Sequence, residues 1–335
     1  ASNNTAVGTS ALNANTTGTN NTAMGRISLD ANTTGSQNIA IGAEALTSNT
    51  TADNNVAVGY NALGTNTTGA SNVAMGRSAL EANTTASNNT ALGYGALAAN
   101  TTGTDNVAVG YLALDAQTTG GYNVAVGRDA GGAITTGEKN VIVGSAAADG
   151  MTTSDQCTVV GYGALSAATT ADNNTAVGYY AGTAVTTGAN NVFIGKDSGK
   201  AMTTGANNVF VGVNTGDAAN CNHNVMVGID SLGAASTGSS NVGVGAGVFA
   251  ANTTGTFNVA VGHDAFAANT TGEENTVVGN LALDANTTGS SNTAIGRQAL
   301  SANTTANNNT AVGKAALAAN TTGTDNVAVG RNAAD

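Results

Sequence analysis

Apolar and polar residues alternate along the chain in a short pattern that always ends in Gly. The pattern runs Asn, a β-branched residue, a small residue, an aliphatic residue and Gly, as in Asn55-Val56-Ala57-Val58-Gly59. It occurs in 20 copies between Gly8 and Gly330, and every spacing is 17 residues except the 16 residues from Gly212 to Gly228. Positions within a repeat are numbered from this Gly, which is position 0. A fixed period of this length is typical of repeat proteins whose copies stack.

The residue types at each position predict strands. Position −3 is Val, Ile or Thr in every copy, and position −1 is Val, Ile, Leu or Met. Such residues beside a punctuating Gly favour a strand over a helix. We therefore predict an all-β fold, a parallel β-solenoid or β-roll of about 20 coils of 17 residues. Each coil is expected to hold two short strands, around N-V-A-V-G and A-L-x-A-N-T-T, joined by turns. A rise of about 4.8 Å per coil predicts a rod roughly 95 Å long.

Position −4 is Asn in 19 of the 20 copies, and Cys157 is the exception. Stacked coils place these side chains in one column, where amides can hydrogen-bond along the axis and avoid the cost of burying a polar group alone. The alternative is that Asn only suits the conformation of a turn. We favour a structural ladder, represented by the column Asn55, Asn72, Asn89, Asn106 and Asn123.

The side chains at positions +4 and +7 compensate for each other in volume. Most copies carry Leu or Phe at +4 and Asn or Gln at +7, as in Leu63 and Asn66. In the central copies the large residue moves to +7, as in the pair Gly131 and Ile134. Because close-packed interiors require such exchange, both positions should border one interior. Residues 128–217 therefore form a variant block of a single repeat array, 1–335, rather than a separate domain.

Two further features concern the regularity of the array. The 16-residue coil, 212–228, has Asn220-Cys221-Asn222-His223 where T-T-G-x-x is expected, so we expect an altered turn there. The first and last copies are as regular as the others, whereas solenoids normally end in atypical capping repeats. The uncapped ends lead us to expect that this chain is a segment of a longer one.

Composition and charge exclude several classes of protein. The chain has 46 Gly, no Pro, no Trp and only 9% charged residues, which does not suit a conventional globular core. Its net charge is −11, so the chain lacks the basic surface with which proteins bind nucleic acid. It has no apolar run long enough to predict membrane insertion within this segment. Cys157 and Cys221 share no spacing typical of a disulfide framework or a zinc site. We expect no cofactor and no metal.

Catalytic motifs are absent from the sequence. No paired carboxylates recur, no G-x-S-x-G or phosphate-binding loop is present, and His223 and His263 occupy unrelated positions of the repeat. We therefore predict that the protein is not an enzyme.

The position after the Gly carries most of the basic residues and several Tyr. Such a column could stack on sugars or bind acidic groups of a receptor, support the fibre by cation–π contacts, or contact another chain. The candidate residues for this glycan, receptor or inter-chain ladder are Tyr60, Arg77, Tyr94, Tyr111, Arg128, Tyr162 and Tyr179.

A nearly continuous Thr-Thr ladder, exemplified by Thr16-Thr17 and Thr33-Thr34, raises ice binding as an alternative function. Adjacent residues of a strand point to opposite faces, so only one Thr column would be presented to solvent. The other interpretation is that the hydroxyl groups cap a turn.

The repeat N-x-V-A-[VI]-G resembles the YadA-like head repeats of trimeric autotransporter adhesins, and the fuller N-T-A-V-G-Y-x-A-L-x-x-N-T-T-G is similar to repeats of phage tail fibres. This resemblance implies left-handed parallel β-rolls wound as a homotrimer, although 17 residues exceeds the typical adhesin-head unit. The mostly Ala column at position −2 should face either a partner chain or a tight interior.

We expect an extracellular structural or adhesive fibre segment of a virion tail fibre or bacterial cell surface, which presents a receptor-binding tip to a surface glycan or host receptor. A self-assembling extracellular filament is the alternative.

Overall fold

A computed structural model describes residues 1–335, which form two compact units, 1–170 and 171–335. Every regular element is a strand of three residues. The strands of the first unit are β1 Thr5–Val7, β2 Thr22–Met24, β3 Ile39–Ile41, β4 Val56–Val58, β5 Val73–Met75, β6 Thr90–Leu92, β7 Val107–Val109, β8 Val124–Val126, β9 Val141–Val143 and β10 Thr158–Val160. Those of the second unit are β11 Thr175–Val177, β12 Val192–Ile194, β13 Val209–Val211, β14 Val225–Val227, β15 Val242–Val244, β16 Val259–Val261, β17 Thr276–Val278, β18 Thr293–Ile295, β19 Thr310–Val312 and β20 Val327–Val329.

Within each unit, consecutive strands pair in parallel and in register. In the first unit, for example, β4 pairs with β5 so that Val56, Ala57 and Val58 lie opposite Val73, Ala74 and Met75. In the second unit β18 pairs with β19 in the same way. Equivalent positions of successive repeats therefore stack on one another. The predicted fold class, an all-β parallel solenoid with one repeat per coil, is confirmed.

The prediction of a second strand in each coil is wrong, because the segment A-L-x-A-N-T-T forms turns and bends. The backbone is left-handed at Leu63 (φ 52°) within the segment and at Asn61 (φ 56°) just before it, which prevents an extended conformation. A left-handed residue with a Cβ costs about 1–2 kcal/mol. Leu63 is fully buried, and burial of a Leu side chain contributes about 1.5–3 kcal/mol, which offsets that cost.

The strands have one interior and one exterior side. Position −2, represented by Ala57 and Ala74, is fully buried, whereas the flanking positions −3 and −1 point outward and are half-exposed or exposed. The Ala column therefore faces the tight interior of its own chain, which decides between the two roles expected for it. Gly59 is required beside the strand because its φ is 137° and an added Cβ would lie 2.5 Å from the Gly76 carbonyl oxygen.

Positions +4 and +7 border the same interior, as their exchange of volume predicts. Gly131 and Ile134 are both buried, and a Cβ added to Gly131 would lie 3.0 Å from Ile134 Cδ1 and from Leu114 Cδ2. The Ile134 side chain thus reaches the space that a Leu at position +4 occupies in other coils.

The second unit shows a further exchange that sequence reasoning missed. Phe193 stands at position −2, where Ala is usual, and Gly199 stands at position +4 of the same coil. A Cβ added to Gly199 would overlap the Phe193 ring. Phe210 and Gly216 repeat this arrangement one coil further on. The aromatic ring therefore fills the interior from the strand side, and the Gly leaves room for it.

The 16-residue coil absorbs its missing residue in the turn. Strands β13 and β14 remain in register, with Val209 opposite Val225. Asn220 Oδ1 accepts the backbone N–H groups of Thr203 at 3.3 Å, Thr204 at 3.0 Å and Gly205 at 3.0 Å. In a regular coil such N–H groups meet a backbone carbonyl one coil away. The Asn220 side chain therefore takes the place of a carbonyl that the shorter turn cannot supply.

The Asn residues at position −4 are buried and join the coils through backbone groups. Asn55 Nδ2 donates to the Gly69 carbonyl at 2.9 Å, and Asn55 Oδ1 accepts the Asn72 backbone N–H at 2.9 Å. The same side-chain oxygen to backbone N–H bond then repeats up the column at 2.9–3.0 Å, through Asn89, Asn106 and Asn123. Only some of these pairs, such as Asn72 with Asn55 at 3.2 Å, add an amide-to-amide bond.

A run of amide-to-amide bonds lies instead at position +7, in the copies that carry Asn there, and it ends at Asn100, whose Oδ1 has no hydrogen-bond partner. Asn66 Nδ2 donates to Asn49 Oδ1 at 3.0 Å and to the Gly69 carbonyl at 2.9 Å, while Asn66 Oδ1 accepts from Asn83 Nδ2 at 2.8 Å. All three Asn side chains are fully buried. Gly69 thus accepts from both Asn columns, which links the strand side of the coil to its turn side.

Replacing Asn66 by Ala should lower local stability by about 2–5 kcal/mol, because a buried polar group left without a partner costs about 1–3 kcal/mol and several bonds are lost. Hydrogen exchange of the amides near residues 49–86 measures this loss without assuming two-state unfolding. Thr68→Ala, at an exposed position of the same coil, is the matched control and should change little. Equal exchange rates in the two variants would contradict a stabilising role for the column.

Gly199→Leu and Phe193→Ala should each destabilise the second unit, the first by steric overlap and the second by about 3–5 kcal/mol through a cavity. The double variant removes the Phe193 ring that a Leu at 199 would overlap, so it should recover part of the loss, although Met202 occupies position +7 where the coil of Ala57 and Leu63 has Asn66. Thermal unfolding of all four proteins gives the coupling energy. Strictly additive effects would show that the two side chains do not share one space.

Candidate functional site

The residues predicted as a ligand or inter-chain ladder lie at position +1, directly after the coil glycine, and are exposed. Within the first unit this Tyr–Arg column comprises Tyr60, Arg77, Tyr94, Tyr111, Arg128 and Tyr162. The exposed fraction of its Tyr residues is between 45% and 51%. Because each follows an in-register strand, their Cα atoms repeat along the stacking direction at the coil spacing.

Four of these residues form one stack. The Arg77 guanidinium lies 5.8 Å from the ring centroid of Tyr60 and 5.8 Å from that of Tyr94. The ring centroids of Tyr94 and Tyr111 are 5.3 Å apart, with 12° between the ring planes. Cation–π and stacked-ring contacts of this kind each contribute about 0.5–1 kcal/mol at exposed sites.

The two ends of this stack are closed by charged neighbours. At one end Glu44 forms an ion pair with Arg26 and hydrogen-bonds to Tyr60. That hydrogen bond and the Glu44 charge raise the pKa of Tyr60, against the opposing charges of Arg77 and Arg26. At the other end the structure does not extend the stack through Arg128, whose Nε lies 3.3 Å from Asp129 Oδ2.

In the second unit Tyr179 packs against Tyr180, with ring centroids 4.4 Å apart and the rings tilted by 67°. Sequence reasoning missed both Tyr180 and Glu44. Each stands at position +2, and the signal that could have found them is an aromatic or charged residue at this position next to the Tyr–Arg column.

The stack limits what the Tyr–Arg column can bind. A sugar stacks on the open face of an aromatic ring, but Arg77 and Tyr111 lie against the two faces of Tyr94. The exposed portion of this ring is therefore its edge, so the interior of the stack supports the protein along its axis rather than offering an apolar platform.

Three carboxylates on the turns, those of Asp115, Asp129 and Asp149, lie close enough for their charges to interact. Burial, and to a smaller extent the negative charge of Asp129, raise the pKa values of Asp115 and Asp149. In the second unit burial acts to raise the pKa of Asp197, but its hydrogen bonds and ion pairs with Lys200 and Lys196 outweigh burial and lower it. No group of three His, Cys, Asp or Glu side chains is close enough together to hold a metal ion.

The thiols and imidazoles are not brought together. Cys157 and Cys221 are both buried, and burial raises the pKa of Cys221 to about 11, which disfavours the reactive thiolate. His223 Nε2 lies 3.4 Å from Asn207 Nδ2, and His263 Nδ1 lies 2.8 Å from Asp264 Oδ2.

The paired Thr residues divide into two columns with different roles. At position +8 the hydroxyl is used internally, as Thr67 Oγ1 donates to the Thr84 carbonyl at 3.0 Å. The Thr67 backbone N–H donates to the same carbonyl at 2.9 Å, and that of Thr68 at 3.3 Å. At position +9 the side chain, as in Thr68, is exposed. One Thr column per unit therefore faces solvent.

Comparison with protein-family models and with curated proteins finds no match to this chain. The structure contains no pocket that would enclose a small molecule. It has no helix with the length and apolarity needed to cross a membrane.

Replacing Glu44 by Gln should lower the pKa of Tyr60, because the variant removes the negative charge while the positive charges of Arg26 and Arg77 remain. Titration of the protein labelled with ¹³C at the Tyr Cζ atoms measures the shift. Glu81→Gln is the matched control and should leave Tyr60 unchanged. A Tyr60 titration that stays in place or moves to higher pH in Glu44→Gln would overturn the assigned contact.

Proposed function

We propose that this chain is a non-enzymatic structural segment of an extracellular fibre, of the kind found in phage tail fibres or bacterial surface adhesins. In this role it acts as a homotrimer that spaces and presents a receptor-binding tip. The observation that carries the proposal is the use of its polar side chains: the buried Asn columns at positions −4 and +7 bond to the next coil or to the coil turn.

Such a molecule works mechanically. Neighbouring coils are joined by strand pairing, by a buried Asn at position −4 and, in the copies that carry Asn at +7, by a second buried Asn, as with Asn55 and Asn66. Strand pairing and the Asn at −4 recur along the array, so added repeats lengthen it without a new kind of core. Length can then be set by the number of repeats, which suits a spacer.

The repeat sequence also supports an adhesive fibre. Its N-x-V-A-[VI]-G pattern resembles the heads of trimeric autotransporter adhesins, and from this resemblance come the left-handed winding and the trimer in the proposal. A surface glycan or host receptor would meet the Tyr–Arg column mainly through hydroxyl and guanidinium edges, since ring faces within its stack are covered. Weak contacts repeated along the column would add by avidity.

Ice binding is a second candidate function, and the exposed column at position +9 favours it. Thr51, Thr68 and Thr85 present their side chains to solvent in successive coils. The neighbouring position +8 is already used for hydrogen bonds between coils, so the array is one Thr wide. Thermal hysteresis of the purified protein tests this candidate directly.

Electron micrographs and sedimentation equilibrium of the purified chain test the fibre proposal. We expect discrete particles of one length with the mass of three chains, because a spacer has a defined number of coils. Filaments of indefinite length would favour a self-assembling extracellular filament instead. A mass of one chain would contradict the homotrimer, and a hysteresis gap without three-chain particles would favour ice binding.

A further inference from the structure

Three successive coils of the second unit carry a basic residue at position +1. These residues are Arg297, Lys314 and Arg331, and together they are named the basic column. All three side chains are exposed. The chain as a whole has 20 acidic and only 9 basic residues, so three adjacent coils with a positive charge at the same position stand out against its composition.

The stacking of the coils holds the basic column in line. Each of its residues follows the Gly that ends a strand, and β18, β19 and β20 pair in register. The Ala315 backbone N–H donates to the Arg297 carbonyl at 2.9 Å. In the same way the Asn332 N–H donates to the Lys314 carbonyl at 2.9 Å. The three Cα atoms therefore repeat at about 4.8 Å and span about 10 Å along the stacking direction.

Basic residues at position +1 of other coils are balanced by a neighbouring side chain. Arg128 Nε lies 3.3 Å from Oδ2 of Asp129, at position +2 of the same coil. Arg26 forms an ion pair with Glu44, at position +2 of the next coil. Arg77 has no acidic neighbour of this kind, but Tyr rings of the two adjacent coils lie 5.8 Å from its guanidinium group. An acid at +2 or an aromatic ring at +1 thus accompanies each of these charges.

The basic column has neither kind of neighbour. Position +2 of its coils is Gln298, Ala315 and Asn332, and none of these is acidic. None of its three side chains forms an ion pair or lies over an aromatic ring. The acidic Asp325 is engaged elsewhere, since it accepts a hydrogen bond from Asn308 at 3.2 Å. Because like charges at this spacing repel one another, an anion that lies along the column is bound favourably.

The form of the basic column selects a linear ligand. The structure has no pocket that would enclose a small molecule, so a ligand must lie along the surface and add weak contacts from several coils. One charge per coil is a spacing close to the length of one sugar unit in a linear polysaccharide. Arg binds oxyanions with paired hydrogen bonds, and the amides of Gln298 and Asn332 can hydrogen-bond to sugar hydroxyl groups.

The net charge of −11 disfavours wider polyanions. Interactions between exposed charges are largely screened beyond about 8 Å at physiological ionic strength. A single polysaccharide chain in line with the basic column therefore meets chiefly its three positive charges. A nucleic-acid duplex or an anionic membrane is wider than this distance, so it would also meet acidic side chains on other parts of the coils, such as Asp284.

We propose that the basic column binds a linear anionic polysaccharide that runs along the stacked coils. One acidic group of the polysaccharide lies at each of the three coils, where it takes the place of the acid that position +2 supplies in the coil of Arg128. This inference goes beyond the proposed function, because it concerns residues outside the Tyr–Arg column and requires neither a trimer nor a tip. The sedimentation and microscopy results expected for a fibre do not depend on it.

Isothermal titration calorimetry of the full chain with size-defined fragments of heparin and of polygalacturonate tests the proposal. These two probes carry sulfate groups and carboxylate groups, respectively. Arg297→Gln/Lys314→Gln/Arg331→Gln should weaken binding at least tenfold, because it removes all three positive charges of the basic column. The affinity of the wild-type chain should fall as salt is added.

The matched control is Arg26→Gln/Arg128→Gln/Lys196→Gln. It makes the same change in net charge at position +1, but it removes residues that already form ion pairs. This control should bind within twofold of the wild-type chain. Circular dichroism should be unchanged in both triple variants, since all the replaced side chains are exposed.

A second variant leaves the basic column in place. Gln298→Asp/Ala315→Asp/Asn332→Asp supplies the acids at position +2 that the column lacks, and it should also weaken binding at least tenfold. The backbone accepts Asp at this position, because Asp129 and Asp264 occupy it with a left-handed conformation.

The outcomes of these titrations decide the proposal. Binding of either polysaccharide that is lost in both basic-column variants and kept in the control supports it, and the tighter probe identifies the preferred anion. No binding to the wild-type chain, or an equal loss in Arg297→Gln/Lys314→Gln/Arg331→Gln and its control, would overturn it. Tighter binding of single-stranded oligothymidylate or of phosphatidylglycerol vesicles than of both polysaccharides would overturn the polysaccharide as the ligand.

Discussion

A buried amide in a narrow coil has few places to find a hydrogen-bond partner, and this constraint organises the whole structure. Around Asn66 the interior is filled by Ala and Leu side chains such as Ala57 and Leu63, which offer no donor or acceptor. Asn66 therefore bonds to the equivalent Asn49 and Asn83 in the coils on either side. Such bonds form only when the copies are in register, and the 16-residue coil keeps this register by shortening its turn.

The same stacking permits backbone conformations that a globular protein would rarely sustain. Leu63 has a left-handed backbone, yet it holds a fully buried side chain and bonds through its N–H to the Ala79 carbonyl at 3.0 Å. Asn220 shows how far the stacking requirement reaches, because a side-chain oxygen replaces a backbone acceptor where one residue is missing. Pairing between coils thus takes precedence over local conformational preference.

The side chains that are available to a ligand or partner are those that the stacking of coils does not bury or use for hydrogen bonds. Most buried Asn side chains bond between coils, the thiols are buried, and Arg77 and Tyr111 cover the ring faces of Tyr94. What remains is the outward side of the strands at positions −3 and −1, which carries no charged residue, the Tyr–Arg column and one exposed column of Thr residues.

The sequence by itself determined which residues stack, because the 17-residue period makes every copy equivalent and the β-branched residues at −3 predict the strand. It also showed that Gly131 and Ile134 share one interior, since their volumes compensate. Only the tertiary structure decided that A-L-x-A-N-T-T is not a strand, that the Ala column faces inward, and that Tyr94 has covered faces. The physical reason is that a period records only which residues of different coils are equivalent. Which side of the strand is buried and which side chains lie above one another depend on how each coil closes, and residue type does not predict the left-handed backbone of Leu63 and Asn61 that closes it.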